Sequence, residues 1–403
     1  MKLVYTDANP EGIDSPFQVA ITGLGVVSSI GIGKDAYWDG LLKNEHLEPR
    51  LVTDFDPAQF MNIKEARRAD RFNQLGVAAA QLAMDDAGEL EVDPARAGVW
   101  MGTGVGGLTS LENQVLICHE RGPDRVTPFL VPMMMANSNA ATISMRFGFT
   151  NTCQTTSTAC AAGTHAIENA ARQISCGRAT VMLAGGAEVA TTMTAQAGFE
   201  NMTASSSSGI SRPFDVERDG FLMAEGAAVV VLEELSHALA RGAHIYAIVA
   251  GAGSNADAHH ITAPAPHGVG AAACMELALA DAGISAAQVA HINAHGTSTP
   301  LNDRSEGEAI AKVFGSKSVP VTSMKGALGH GLGAAGALEA VGVCLTFEHN
   351  LIPPTANTKN VDPELDIDVV IGEPRPLGEG AIISNSFGFG GHNGTLVFTR
   401  YRP

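Results

Sequence analysis

Residues 155–174 read TTSTACAAGTHAIENAARQI: a polar, β-compatible run, a cysteine, then small residues opening a segment with helical spacing. Cys160 therefore falls at a strand-to-helix turn, at or just before the helix N-terminus. Unpaired backbone N–H groups and the positive end of the helix dipole favour a thiolate there, and are expected to lower its pKa well below about 8.5. Ala159, Ala161, Ala162 and Gly163 leave room for an acyl thioester to approach the backbone. Taken alone, Cys160 reads equally well as a small buried residue. The helix it opens, residues 161–176, starts with few large side chains, and so does the stretch 334–348. Helices of that composition fit between two sheets, where backbones must approach closely.

Outward from this pair, short apolar runs alternate with helical patterns. Strands are expected at residues 18–22, 98–101, 180–184, 228–233, 245–250, 290–293, 319–322, 381–384 and 395–399. Helices are expected at 72–87, 161–176, 270–282, 305–314 and 334–348. This alternation argues a layered α/β fold. No Pro- or Ser-rich linker divides the chain, and residues 234–242 form a helical stretch able to join two similar halves, 1–238 and 239–403. Each half would begin with a strand, hold one deep helix and end on strands. The duplication is an inference about fold, because the halves share no visible sequence identity. The four serines at 205–208 read as a mobile surface loop, and HHITAPAPHGVG (259–270) as a loop that shapes a binding site.

Composition fits that picture and limits the partners. The chain has 403 residues, 45% hydrophobic but only 5% aromatic, with 45 glycines, which suits tightly packed layers. A formal charge of -17 repels nucleic acid and anionic membranes. The six cysteines form no C-x-x-C pair, and a chain this long needs no disulfide staples. The first residues carry Asp7, Glu11 and Asp14 where a signal peptide needs an apolar stretch, and no run of 18 apolar residues occurs. A soluble, cytoplasmic protein is expected.

Two histidine motifs change the weight of Cys160. NAHGTSTPLND (293–303) puts His295 just after an expected strand, where α/β folds build their sites. SMKGALGHGLGAAGALEA (323–340) puts Lys325 and His330 in a glycine-rich loop opening a helix. One histidine is commonly structural. Two in glycine-flanked loops, together with a helix-start cysteine, are hard to read as packing. His119, His237 and His349 lie in polar or helical contexts and read as surface. SNSFGFGGHN (384–393) offers backbone N–H groups to an anion, or a swinging gate, against the plainer reading of a glycine-rich turn.

GTGVGG (102–107) matches a dinucleotide fingerprint, but no second strand with a terminal acid follows at βαβ distance, so nucleotide binding is set aside. NIKEARRADRF (62–72) gathers Lys64, Arg67, Arg68 and Arg71 in an acidic chain. The bland reading is a solvated face balanced by Glu65 and Asp70; opposite an acidic carrier protein it becomes a docking patch.

Cys160, His295, Lys325, His330 and the GFGG segment together resemble the β-ketoacyl-acyl-carrier-protein synthases of the type II elongating class. The likeness runs from ITGLGVVSSIG (21–31) through SRPFDVERDGF (211–221) to NSFGFGGHN. It implies a thiolase-like fold, two similar halves stacked as five layers α-β-α-β-α, and a homodimer or a heterodimer with a homologous subunit. It also implies roles. Cys160 is the acyl-accepting nucleophile, and its N–H with that of Phe389, the gating residue, forms an oxyanion hole. His295 and His330 promote malonyl decarboxylation, and Lys325 with Glu339 organises the site. Thr297 and Thr299 line the pantetheine tunnel, with Thr262 and Phe387 as further substrate contacts. Val105 limits acyl length, Leu130 lies near the far end of the pocket, and Lys64, Arg67 and Arg68 dock the carrier. No metal or cofactor is implied.

Three departures from the family pattern bear on chain length and partner. The loop 203–210 is short and lacks a basic residue, His392 stands where many members have threonine, and Leu130 replaces an aromatic. Fatty-acid elongation is the leading expectation. The alternative is the catalytic subunit of a type II polyketide synthase with a chain-length partner. A non-catalytic partner subunit is disfavoured by the retained Cys160 and histidines, and a thiolase by histidines standing where it would use a second cysteine.

Overall fold

The computed structural model describes residues 18–46 and 50–402. The acidic N-terminal stretch read above for a signal peptide lies outside the described residues. Ten strands carry the architecture: β1 (Val19–Ser28), β2 (Ala97–Gly102), β3 (Cys153–Thr156), β4 (Val181–Glu188) and β5 (Gly226–Glu234), then β6 (Ala247–Ala256), β7 (Val289–Asn293), β8 (Pro320–Thr322), β9 (Ala381–Gly388) and β10 (His392–Thr399). The main helices are α1 (Arg71–Ala87), α2 (Leu108–Arg121), α3 (Ala162–Ser175), α4 (Val269–Asp281), α5 (Pro300–Phe314) and α6 (Ala335–His349).

The strand order is β3-β2-β4-β5-β1 in the first half and β8-β7-β9-β10-β6 in the second. Adding five to each label of one gives the other. Directions agree as well: β3, β2 and β4 are parallel, with β5 and β1 successively antiparallel. β8, β7 and β9 are parallel, with β10 and β6 successively antiparallel. The two sheets touch edge to edge where β1 pairs with β6 over three residues, Val19–Ile21 against Ala247–Val249.

Strand alternation builds the layers. In β5, Ala228, Val230 and Leu232 face the central core, whereas Ala227, Val229 and Val231 face α1. In the second half, Ile382 of β9 points to the centre, and Ile383 packs with Met275 of α4 and Ile310 of α5. The central core takes Ile167, Ala170 and Ile174 from α3 and Leu338, Val341 and Leu345 from α6, sandwiched by strands of both sheets. The result is the five-layer α-β-α-β-α stack of the thiolase-like fold. Each fully buried Val, Leu or Ile adds about 1.5–3 kcal/mol, so the three cores supply the main driving force.

Small residues set the close approaches. A Cβ on Gly163 would lie 2.9 Å from Ala337 N, and one on Gly336 would lie 2.0 Å from Thr164 Oγ1, so the starts of α3 and α6 meet almost backbone to backbone. Likewise Gly25 in β1 admits α1, since a Cβ there would meet Ala79 O at 1.9 Å.

Two expectations are corrected here. The serines 205–208 are tied down: Asp219 accepts hydrogen bonds from Ser206 Oγ (2.7 Å), Ser207 Oγ (2.8 Å) and Ser208 N (2.8 Å). Asp70 and Arg71 do not belong to a solvated basic face. Asp70 is buried, capping α1 and accepting from Ser110 N, and Arg71 makes a two-pronged bond to the buried Glu225.

Candidate active site

Chain direction puts the catalytic groups on one seam. β3 ends at Thr156, and after a turn containing Ala159 (φ +50°) and Cys160 the chain enters α3. Left-handed backbone at a non-glycine residue is strained and persists only where its surroundings enforce it. His295 follows β7, and His330 sits in the loop before α6, held by His330 N donating to Leu222 O (2.7 Å) and Ala224 N donating to His330 O (3.0 Å). The first half thus contributes the sulfur and the second half both imidazoles.

Cys160 Sγ lies 3.1 Å from His330 Nε2. The ring centroids of His295 and His330 are 5.3 Å apart and nearly perpendicular. One ligand atom from each of Cys160, His295 and His330 falls within 4.8 Å of the others, so all three can act on one small group. Behind them, Lys325 Nζ is 3.3 Å from His295 Nδ1 and forms a wholly buried ion pair with Glu339.

The environment fixes the protonation states. Burial, with the Lys325 charge adding to it, pushes both His295 and His330 well below the ordinary imidazole range, so they are neutral at pH 7. Burial pushes the Cys160 thiol up to about 11, against the pull of Lys325 and of the Phe389 and Cys160 N–H groups directed at the sulfur. The expected depressed thiol pKa is therefore overturned: desolvation by burial outweighs the helix start. The resting pair is a thiol donating to a neutral imidazole.

These groups open into a cavity of about 540 Å³. Its walls include Val105, Thr262, Thr297, Thr299, Phe387 and Phe389. Thr297 Oγ1 and Thr299 Oγ1 are 2.9 Å apart. Phe199 packs against both Phe389 and Phe221, which meets His330 edge-on at 5.4 Å. Leu130 is not part of this lining; it begins a short helix, Leu130–Met134, beside Gly107. Lys64, Arg67 and Arg68 are exposed around a one-turn helix capped by Asn62 and Glu65, with Arg68 4.4 Å above the Phe129 ring.

Sequence reading missed three buried residues that hold this site. Glu306 on α5 accepts from His295 N (2.8 Å) and Gly296 N (2.7 Å), fixing that loop. His165 on α3 bonds through Nδ1 to Thr158 Oγ1 (2.8 Å) and through Nε2 to Asn393 O (3.1 Å), linking the cysteine turn to the glycine gate. Glu188 ends a wholly buried strand, and an acid at the close of the apolar run VMLAGGAE was the available signal.

A buried Cys–His–His set on a duplicated five-layer fold defines an acyltransferase of the thiolase-fold ketosynthase class. The chain belongs to the beta-ketoacyl synthase family: the family's N-terminal domain matches residues 48–238 and its C-terminal domain residues 246–359. It is 43% identical over 411 residues to the 3-oxoacyl-[acyl-carrier-protein] synthase 2 of Synechocystis sp., covering 96% of this chain and 98% of that protein. Among solved structures, the ishigamide ketosynthase/chain length factor is similar with a TM-score of 0.90 and 34% identity, over 96% of this chain and 100% of that one. A type II PKS acyl-carrier protein in complex with its ketosynthase (AntDE:AntF) is similar with a TM-score of 0.87 and 30% identity, over 96% and 100%.

Proposed function

We propose that this enzyme joins an acyl group held on Cys160 to a malonyl group on acyl carrier protein, releasing CO2 and 3-ketoacyl carrier, in fatty-acid elongation. The carrying observation is the 3.1 Å contact between Cys160 Sγ and a neutral His330, with His295 lining the same cavity. The higher identity to the 3-oxoacyl-[acyl-carrier-protein] synthase than to the polyketide-type structures supports elongation over the polyketide reading.

In the first stage, the Cys160 thiol passes its proton to His330 Nε2 as sulfur attacks the acyl thioester carbonyl. The N–H groups of Phe389 and Cys160 stabilise the oxyanion, each worth about 3–4 kcal/mol in comparable sites. The tetrahedral adduct collapses, the carrier thiol leaves with the proton, and the acyl group stays on sulfur. In the second stage, once solvent exchange has moved the His330 ring proton from Nδ1 to Nε2, His295 and His330 donate hydrogen bonds to the malonyl thioester oxygen while the bond to its carboxylate breaks and CO2 departs. The electron pair becomes an enolate, whose carbon attacks the acyl-cysteine. Expulsion of sulfur completes the 3-ketoacyl product, and a proton from solvent restores the thiol. Neutral imidazoles suit this step because a charged acid would protonate the enolate before it condensed.

The exposed cluster Lys64, Arg67 and Arg68 would receive the acidic carrier. The exposed edge strand β3 and the exposed Leu111, Val115, Leu116, Val131, Met135 and Met145 favour pairing with a second, similar subunit. The division into halves at 238/239 falls in the short helix Leu235–Ala240 between β5 and β6. Among the described residues, no helix is long and apolar enough to cross a membrane.

Purified protein should convert acyl- and malonyl-carrier into 3-ketoacyl-carrier, and Cys160→Ala should form neither acyl-enzyme nor product. Ketoacyl product from Cys160→Ala would rule out the covalent scheme. Mass measurement of the native assembly separates a self-sufficient homodimer from a subunit that condenses only with a co-purifying homologue.

A further inference from the structure

Glu188 is fully buried at the end of β4 and lines no part of the cavity. Its carboxylate accepts from Gly104 N (2.5 Å), Gly333 N (3.1 Å), Thr103 Oγ1 (3.0 Å) and, more weakly, Val105 N (3.4 Å). Among the described residues no Lys or Arg forms an ion pair with it, so neutral donors alone satisfy it. Burial pushes its pKa up to about 7, while these donors hold it toward the anion. A buried carboxylate is costly, and its neutral replacement orphans the donors it served.

Those donors come from two separate pieces of cavity wall. One is the segment 103–105, which ends in the exposed Val105. The other is Gly333, three residues beyond His330. There is no slack between them: a Cβ on Gly333 would lie 2.2 Å from Gly104 N and 2.6 Å from Glu188 Oε2, and one on Gly104 would lie 2.7 Å from Glu188 Oε2. Gly104, Val105, His330 and Leu332 all face the cavity.

We propose that Glu188 is a positioning residue that clamps the acyl-pocket wall at Val105 to the loop carrying His330, so that one buried carboxylate sets acyl-chain selection. The inference rests on the ketosynthase reading. Moving the wall moves Val105 relative to the bound chain, and a pocket that differs by one methylene commonly discriminates by tenfold or more. Selection therefore depends on a residue the substrate never touches.

The test compares kcat/KM for hexanoyl- and palmitoyl-carrier in wild type, Glu188→Gln and Gly104→Ala. Glu188→Gln keeps the shape but turns one acceptor into a donor facing N–H groups. Gly104→Ala wedges the clamp from the other side and remains informative if the first variant folds poorly. Both should shift the ratio between the two chains by about tenfold. A ratio within about twofold of wild type in every folded variant overturns the clamp. Wild type that forms no ketoacyl product would instead overturn the ketosynthase reading.

Discussion

Lys325 Nζ faces His295 Nδ1 at 3.3 Å while its charge is paired with Glu339. An ammonium can only donate, so Nδ1 must accept and the ring proton must sit on Nε2. His295 is thereby held as a neutral N–H donor, the form the decarboxylation step uses. Lys325→Ala should free the tautomer and slow CO2 release from malonyl-carrier by about a hundredfold or more, on the scale of losing an oriented donor. Acyl-enzyme formation at Cys160 should fall much less. Equal losses in a CO2-release assay and an acyl-labelling assay would argue against this division of labour.

The thiol makes a pH prediction whose sign opposes the simple helix-start argument. With Cys160 raised to about 11, the thiolate fraction in resting enzyme keeps growing through pH 9 and 10. Alkylation by iodoacetamide should therefore keep accelerating over that range. A plateau below about pH 8.5, the ordinary cysteine value, would show a depressed pKa instead.

Val105 stands half exposed on the cavity wall. Val105→Phe should lower kcat/KM for long acyl chains by about tenfold or more and leave short chains nearly unchanged. Unchanged chain preference would remove Val105 from the selecting wall.

Lys64→Ala, Arg67→Ala and Arg68→Ala combined should raise KM for carrier-bound substrate by about tenfold and flatten its salt dependence. A carrier-free pantetheine thioester should react as with wild type. Loss on both substrates would mean that the cluster supports the fold rather than docking.

His291 on β7 is buried with neither ring nitrogen bonded to protein, and burial with the Arg375 charge pushes its pKa to about 3. Its folded pKa is depressed below the unfolded value of about 6.5, so folding excludes a proton the unfolded chain binds. Stability is then lost as pH falls below that unfolded value. His291→Leu removes the penalty and should gain about 1.4 kcal/mol on wild type for each pH unit below 6.5, over the difference at neutral pH. Urea denaturation at pH 7.5 and pH 5.5 gives the comparison, and a pH-independent difference would contradict it.

Legibility in the sequence followed the length scale of the interaction. Strand and helix periodicity located nine of the ten main strands and the deep helices, because burial on alternating faces writes itself into neighbouring residues. It truncated β1, expected at residues 18–22 but running to Ser28, since Gly23 and Gly25 look like breakers. Their missing side chains instead admit α1 against the strand. Cys160 stood out at a strand-to-helix turn flanked by small residues, and His295 and His330 in loops with glycine beside them. Glu188, Glu306 and His165 did not, since their partners are backbone groups or hydroxyls, which leave no residue pattern, and for Glu188 and His165 some come from distant segments. The Cys160 pKa was misjudged for a related reason: the helix start is local, whereas the burial that outweighs it comes from the whole fold.

The seam between the halves sets how precisely chemistry can run. Sulfur and imidazoles belong to different copies of the duplicated unit, joined along β1 and β6 by only three residue pairs and packed through α3 on α6. The Cys160–His330 distance is therefore a gauge of how the two copies are seated. A side chain added at Gly163 or Gly336, where α3 and α6 meet, would be read out at the sulfur as a lengthened proton-transfer path. Catalysis in this protein is a property of the joint, and neither copy holds it alone.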